Sequence, residues 1–165
     1  MNKTSGITLS PIPAADASVI ANILQDGSVK QTYMVSDLSA QEAEQLGLRI
    51  ASLSHLEDRY VRGIYTAEGL VGFLNDVGIE NGSIELGWVV APAHQGNGYA
   101  TNAVLLAMDE LFTKGFTRVI AGAFSENAAS IRVMEKAGML RQEFTEPIEY
   151  RGITHTCIYF AKDKP

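Results

Sequence analysis

The sequence has little cysteine, no long apolar run and few basic residues. Cys157 is the one cysteine among 165 residues, which excludes an intramolecular disulfide framework and is typical of a reducing compartment. No apolar run approaches the ~20 residues that a membrane-spanning helix needs. Residues Met1 to Gly6 are polar and lack the apolar segment of a secretory signal. We therefore expect a cytoplasmic protein that does not enter a membrane.

Basic residues are outnumbered and scattered. The chain has 13 Lys and Arg against 19 Asp and Glu, for a net charge of −6, and no basic cluster is longer than a pair. Proteins that bind nucleic acid usually present a basic patch, so nucleic acid is disfavoured as a partner. The acidic balance suits a cationic partner, such as an amine or a basic peptide.

Histidine is also sparse. His55, His94 and His155 lack the spacing of metal ligands, so no metal site is predicted. The composition, with 46% hydrophobic and 19% charged residues, excludes a disordered chain. The length predicts one domain over residues 1–165.

Hydrophobic periodicity predicts strands and helices in the order β-α-α-β-β-β-α-β-α-β-β. Ser39 and Glu42 form a capping-box signature at the start of the second helix. This order favours a mixed α/β sheet. The predicted strands lie at 7–12, 60–65, 70–77, 84–90, 118–124, 139–146 and 154–161, and the predicted helices at 14–24, 39–56, 98–113 and 127–137.

A glycine-rich turn, Gln95–Ala100, separates a predicted strand from a predicted helix. Such a turn directs backbone N–H groups to one point at the positive end of a helix dipole, an arrangement that binds anions and above all phosphates. A Walker A loop is excluded because Tyr99 and Ala100 follow Gly98, and a dinucleotide fingerprint is excluded because Thr101 occupies the place of its third glycine. An ordinary capped strand-to-helix turn remains the alternative.

Two motifs carry a family resemblance. The segment Val89–Ala100 contains Gln95-x-x-Gly98-x-Ala100 and resembles the signature Gln/Arg-x-x-Gly-x-Gly/Ala of the GNAT acetyltransferases. Downstream, Asn127-x-x-Ser130-x-x-Val133-x-x-Lys136-x-Gly138 resembles the ribosomal-protein N-acetyltransferase branch, the RimJ/RimL type. Met139 stands where the family usually has an aromatic residue. The order of elements agrees over about residues 7–162, which implies the GNAT fold: an α/β domain with a splayed central sheet flanked by helices.

The resemblance implies acetyl-CoA as the donor substrate. It places the pantetheine arm along the strand that ends at Val89 and Val90, with the Val90 N–H as a candidate oxyanion donor and Asn127 as a hydrogen-bonding partner of the arm. Gly87 indicates a break that would splay this strand from its neighbour. The pyrophosphate is implied to lie on the backbone amides of the turn, which consists of Gln95, Gly96, Asn97, Gly98, Tyr99 and Ala100.

Acetyl transfer to an amine needs a proton acceptor, because a protonated amine cannot attack the thioester. The resemblance points to Glu149 as this base and to Ser130 as the group that hydrogen-bonds the departing thiol. Glu85 lies where other GNAT branches place their base, and Tyr150 is a second candidate proton donor. Structural alternatives stay open: Glu149 as a solvated turn carboxylate, and Ser130 in the first turn of a helix whose N-cap is Asn127.

These observations predict an acetyl-CoA-dependent N-acetyltransferase that acts by direct attack in a ternary complex. The acceptor is a primary amine, either a protein N-terminus or a small molecule such as a polyamine, an amino acid or an antibiotic. A non-catalytic acyl-CoA-binding module is the alternative from outside the enzymes. The resemblance is compatible with a monomer or a homodimer.

Overall fold

The computed structural model describes residues 6–165. Met1 to Ser5 lie outside the described residues, and with them most of the segment Met1 to Gly6, in which the sequence shows no secretory signal. The helices are α1 (Ala17–Gln25), α2 (Val29–Thr32), α3 (Ala40–Leu53), α4 (Tyr99–Thr113) and α5 (Ala128–Lys136), with 3₁₀ turns at Ala14–Asp16 and Pro92–His94. The strands are β1 (Thr8–Ser10), β2 (Val61–Thr66), β3 (Gly69–Glu80), β4 (Ser83–Val90), β5 (Arg118–Phe124), β6 (Leu140–Tyr150) and β7 (Ile153–Asp163).

The seven strands form one mixed sheet in the order β1-β2-β3-β4-β5-β7-β6. β4 and β5 are parallel, whereas β5 with β7 and β6 with β7 are antiparallel. The mixed α/β sheet predicted from the sequence is thus confirmed. None of the helices in residues 6–165 is long and apolar enough to cross a membrane.

The chain divides into two compact units, of which the first comprises the residues up to Asn75 together with Trp88–Ala103. In this unit α1 packs against α3. The predicted capping box starts α3, since the Glu42 N–H donates to Ser39 Oγ at 3.1 Å and the Ser39 N–H donates to Glu42 Oε1 at 2.9 Å. The core of the unit is formed by buried apolar side chains, including Ile12, Ile20, Leu24, Ile50, Val61, Phe73 and Val89.

The second unit comprises Asp76–Gly87 and Val104–Pro165. The parallel pairing joins Ser83–Leu86 to Arg118–Ala121 and ends one residue before Gly87, where the sequence predicts a break. Because side chains alternate along a strand, this part of the sheet has two faces. On one face, the side chains of Ile84, Leu86, Val119, Ala121, Ile158 and Phe160 are buried. The other face, which we call the acidic face, carries Glu85, Gly122, Phe124, Glu146, Tyr150, His155, Cys157 and Tyr159.

Three of the differences from the predicted elements concern α2, α3 and β6. The short helix α2 was not predicted, and α3 ends at Leu53 rather than near Leu56. The third difference is β6, which continues through Pro147 to Tyr150, past its predicted end at Glu146. Because β6 lies at the edge of the sheet, a proline can occupy it without removing a hydrogen bond to a second neighbouring strand.

Candidate functional site

The glycine-rich turn of the first unit has the backbone conformation that an anion site requires. Gly96 and Gly98 have φ angles of 83° and 77°, which side-chain-bearing residues rarely adopt. The Gly98 carbonyl accepts a hydrogen bond from the Asn102 N–H at 3.1 Å and so begins α4. A Cβ on Gly96 would meet open space, which means that the backbone of the turn is accessible.

Two polar side chains of the turn donate hydrogen bonds to backbone carbonyls of residues that precede it. Gln95 Nε2 donates to the Val90 carbonyl at 3.0 Å, and Asn97 Nδ2 donates to the His94 carbonyl at 3.1 Å. These bonds fix the shape of the turn without occupying its amides. The amides of residues 96–100 therefore fit a pyrophosphate, with the Gln95 and Asn97 side chains as supports.

At the strand end, Val89 and Val90 lie beside β3. The Ala91 N–H donates to the Val71 carbonyl of β3 at 2.8 Å. Because successive N–H groups of a strand point in opposite directions, the Val90 N–H points away from β3 and is free of that pairing. Gly72 of β3 was missed by sequence reasoning: a Cβ there would overlap the Val89 carbonyl. The signal was a glycine within an otherwise apolar strand.

In the second unit, Asn127 and Ser130 form a reciprocal pair at the start of α5. The Ser130 N–H donates to Asn127 Oδ1 at 3.2 Å, and Asn127 Nδ2 donates to Ser130 Oγ at 3.1 Å. Asn127 is the N-cap, as the structural alternative predicts. Both side chains are only partly buried, so the cap leaves them accessible to a ligand.

Glu85 lies on the acidic face with a second carboxylate, Glu146. Burial, and then the negative charge of Glu146, raise the pKa of Glu85. The Tyr159 hydroxyl donates to Glu146 Oε1 in a short hydrogen bond, and burial first, then that bond, raises the pKa of Tyr159. Sequence reasoning missed Glu146 and Tyr159, because they come near Glu85 only through the pairing of β4 with β5, of β5 with β7 and of β7 with β6.

Room for Tyr159 comes from Gly122. The two residues are partners across β5 and β7, and a Cβ on Gly122 would lie 2.7 Å from Tyr159 Cε1 and 3.2 Å from Cys157 Sγ. The tyrosine ring thus covers the glycine. Cys157 is buried, and burial is the main cause that raises the pKa of its thiol.

Glu149 and Tyr150 have different surroundings. Glu149 is exposed, and no side chain among residues 6–165 hydrogen-bonds its carboxylate. Tyr150 lies on the acidic face, where its ring centroid is 6.0 Å from that of Phe124, and its hydroxyl accepts from Arg151 Nε at 3.0 Å. The acidic face therefore brings Glu85 and Tyr150 to the same side of the sheet and leaves Glu149 on the other.

A histidine–carboxylate pair near Tyr150 was not predicted. His155 Nδ1 forms a short hydrogen bond with Glu126 Oε1, and the imidazole stacks on Phe124 with ring centroids 4.1 Å apart. The sequence offered no signal, since 28 other residues separate the two in the chain. In the part of the chain that the structure describes, no group of three or more His, Cys, Asp or Glu could hold a metal ion.

Comparison with known proteins found one family model and several proteins that are similar to this chain. The model of the acetyltransferase (GNAT) domain family matches residues 7–140. A curated relative, named "Probable N-acetyltransferase YjcK" from Bacillus subtilis, is 34% identical over 92 residues, which cover 52% of this chain and 51% of that protein. The match thus spans about half the length of this relative.

Two solved structures share the fold over nearly the whole chain. The spermidine N-acetyltransferase from Vibrio cholerae, in complex with CoA and spermine, matches with a TM-score of 0.82 and 21% identity over 96% of each chain. RimL, a ribosomal L7/L12 alpha-N-protein acetyltransferase in complex with CoA, matches with a TM-score of 0.85 and 16% identity, covering 96% of this chain and 94% of that one. At these identities the likeness concerns the fold alone.

Proposed function

Because the chain belongs to the family of acetyltransferase (GNAT) domains, we propose that it transfers an acetyl group from acetyl-CoA to a primary amine. The amine attacks the thioester directly in a ternary complex. The observation that carries this proposal is the turn at residues 95–100, which contains two glycines with positive φ. The Gln95 and Asn97 side chains hydrogen-bond to backbone carbonyls and so leave the amides of the turn accessible at the start of α4. This is the cradle that the donor's pyrophosphate needs.

Two further groups support acetyl-CoA as the donor. The Val90 N–H is directed away from β3 and is suited to polarise the thioester carbonyl. The Asn127–Ser130 pair offers an amide and a hydroxyl that match the residues which the family resemblance assigns to the pantetheine and the thiol.

We assign the proton acceptor to Glu85 rather than to Glu149. A general base works best when its pKa approaches the operating pH, and burial raises the pKa of Glu85 in that direction. Glu149 is exposed and lies on the opposite face of the sheet. A Glu85 carboxylate that takes a proton from the acceptor's ammonium leaves a neutral amine, which is the nucleophile.

The acceptor is a cationic amine in this proposal. Glu85 and Glu146 lie on one face of the sheet, and the chain carries a net charge of −6, both of which favour an approaching cation. Two acceptor classes stay in the proposal: a small polyamine, as for the Vibrio cholerae structure, and a protein N-terminus, as for RimL. A cytoplasmic location and a monomeric or dimeric state stay predictions from the sequence.

Two measurements test the proposal in sequence. The first is the melting temperature with acetyl-CoA, CoA, NAD or ATP, each at about 1 mM; a ligand present at about 100 times its Kd adds about 2.7 kcal/mol of stability. We expect a shift of several degrees with acetyl-CoA and CoA, and none with NAD or ATP. If neither CoA compound shifts the melting temperature, the turn at residues 95–100 is a helix cap and not a donor site.

The second measurement is release of the CoA thiol with spermidine and with a short peptide that has a free N-terminus. The matched control for the peptide is the same peptide with its N-terminus already acetylated. Thiol release that depends on a free amine supports the enzyme and identifies its acceptor class. A melting shift without thiol release for any amine would favour the non-catalytic acyl-CoA-binding module.

A further inference from the structure

His155 and Glu126 form a dyad whose geometry fixes one nitrogen and leaves the other accessible. Nδ1 of His155 is engaged by the Glu126 carboxylate, and stacking on Phe124 at an interplanar angle of 10° fixes the plane of the ring. Among residues 6–165, Nε2 of this ring has no hydrogen-bond partner. The His155 side chain is 15% exposed. The dyad therefore presents a single fixed nitrogen to solvent or to a ligand.

The dyad is linked to the start of α5 through the chain and to Tyr150 through its ring. Glu126 directly precedes Asn127, the cap residue that hydrogen-bonds Ser130. The ring centroid of Tyr150 lies 6.4 Å from that of His155. The dyad thus contains the residue that precedes the Asn127 cap and a ring near Tyr150, which the sequence makes a candidate proton donor.

We propose that His155, held by Glu126, donates the proton that the departing CoA thiolate takes up. This inference rests on the proposed acetyl transfer and adds a catalytic group to it. Imidazole changes charge between pH 5 and 8 in its ordinary state, whereas a serine hydroxyl does not ionise in that range. His155 is accordingly a better proton donor near neutral pH than Ser130, which acts as a hydrogen-bond donor to the sulfur. Glu126 is a positioning residue that acts through His155.

The proton balance of the proposed step is complete. Glu85 takes one proton from the acceptor's ammonium, and the amine nitrogen forms a bond to the thioester carbonyl carbon. The C–S bond breaks, Nε2–H of the imidazolium gives its proton to the thiolate, and the nitrogen of the new amide loses its extra proton to solvent. His155 then regains a proton from solvent and Glu85 releases one. One proton is released for each acetyl group transferred.

Charged and titratable groups face the imidazole from more than one element of the second unit. Glu126 faces it from the segment after β5, and its own backbone N–H, followed by the bond with His155, lowers the pKa of this carboxyl, which therefore stays ionised. Tyr150 faces it from β6, and the Arg151 guanidinium lies 5.3 Å from the Tyr150 ring. Glu146, Cys157 and Tyr159 lie farther along the same face.

The test is the pH dependence of kcat in thiol release by the full chain with saturating acetyl-CoA and its best acceptor amine. We expect wild-type kcat to fall as the pH rises through the range in which imidazole loses its proton. His155→Gln should lower kcat by about 100-fold and remove this fall, with little change in the KM for acetyl-CoA. Glu126→Gln should lower kcat with little change in the KM for acetyl-CoA, because the imidazole loses the carboxylate that holds it in position.

His55→Gln is the matched control. The ring of His55 is hydrogen-bonded to the Ile12 carbonyl and has no role in the proposed site. The kcat and pH profile of this variant should equal those of the wild type. Melting temperatures and CoA binding of each variant show whether it is folded, and the exposed Glu126 provides the variant least able to disturb packing. A His155→Gln variant with wild-type kcat and an unchanged pH profile overturns this inference alone. Absence of thiol release by the wild type overturns the proposed function, and this inference with it.

Discussion

Glu149 and Tyr150 are consecutive in the chain, yet the pairing of β6 with β7 places their side chains on opposite faces of the sheet. Glu149 is the partner of Thr154, and Tyr150 is the partner of Ile153. Register alternation therefore puts Tyr150 on the same face as Glu85 and puts Glu149 on the other. The two carboxylates that the family resemblance implies as bases cannot both face one acceptor amine from the same side of the sheet.

The first prediction separates these two carboxylates by their effect on kcat. Glu85→Gln should lower kcat by about 100-fold or more, because the proton acceptor is lost, while the KM for acetyl-CoA stays near its wild-type value. Glu149→Gln should change kcat by less than about threefold, which is small beside a general-base effect. Steady-state thiol release at neutral pH measures both. A large loss in Glu149→Gln with near-normal turnover in Glu85→Gln would assign the base to Glu149.

The second prediction concerns stability at different pH values. Burial raises the pKa of Glu85 above 4.5 in the folded state, so the folded chain holds this proton to higher pH than the unfolded chain does. The free energy of unfolding therefore falls as pH rises through the interval just above 4.5. Glu85→Gln lacks this pH-dependent loss of stability. The difference between its melting temperature and that of the wild type should therefore be larger at pH 7 than at pH 4, by up to a few degrees. Glu149→Gln, on the other face, is the control. An equal difference at both pH values would show that Glu85 ionisation carries no such cost.

The order of the elements could be predicted because local signals set it. The Ser39–Glu42 capping box starts α3 as expected. Between β3 and β4, the Asn-Gly pair at Asn81 and Gly82 has the two positive φ angles, 49° and 82°, that a tight hairpin turn needs. β5 has the predicted boundaries because apolar residues fill it and a Gly-containing turn precedes it. These are short-range features that need no knowledge of the neighbouring strands.

The acidic face could not be predicted, because it depends on which strands pair and in which register. Glu146 lies opposite Cys157 only through the antiparallel pairing of β6 with β7, and a register shift between Arg141 and Thr145 hides this relation from a count along the sequence. The Glu126–His155 pair likewise joins two distant segments. The glycine turn and the Asn127–Ser130 pair were predictable because each lies within a few consecutive residues.

The third prediction tests whether the amides of the glycine turn bind acetyl-CoA. Gly96 and Gly152 have φ angles of 83° and 76°, and a Cβ on either would meet open space. Alanine at each position should cost a similar 1–2 kcal/mol of stability, because an L-residue is strained at this φ. Only Gly96→Ala should also raise the Kd for acetyl-CoA, by about tenfold, since 1.4 kcal/mol of lost binding corresponds to that factor. Calorimetric titration of both variants checks this; equal affinities would remove the turn from the donor site.

The fourth prediction concerns the packing of Tyr159 on Gly122. Gly122→Ala would bring a Cβ to 2.7 Å from the Tyr159 ring, so the ring has to move away from Gly122. Overpacking of this kind costs about 1–3 kcal/mol, and the melting temperature should fall by several degrees. The matched control is Gly78→Ala, another strand glycine, where a Cβ would meet nothing within 4 Å. If both variants melt at the wild-type temperature, the contact between Gly122 and Tyr159 is not tight in solution.

The fifth prediction distinguishes the structural role of Asn127 from its proposed contact with the donor. Asn127 and Ser39 both accept a backbone N–H as helix N-caps, so Asn127→Ala and Ser39→Ala should each cost about 0.5–2 kcal/mol of stability.

Only Asn127→Ala should also raise the KM for acetyl-CoA, because its Nδ2 group, which now donates to Ser130 Oγ, is the proposed partner of the pantetheine arm. Asn127→Asp refines the comparison: its carboxylate still caps α5, but it has no N–H to donate. We expect Asn127→Asp to keep the wild-type melting temperature and to share the raised KM of Asn127→Ala. A wild-type KM in Asn127→Asp would leave Asn127 with its capping role alone.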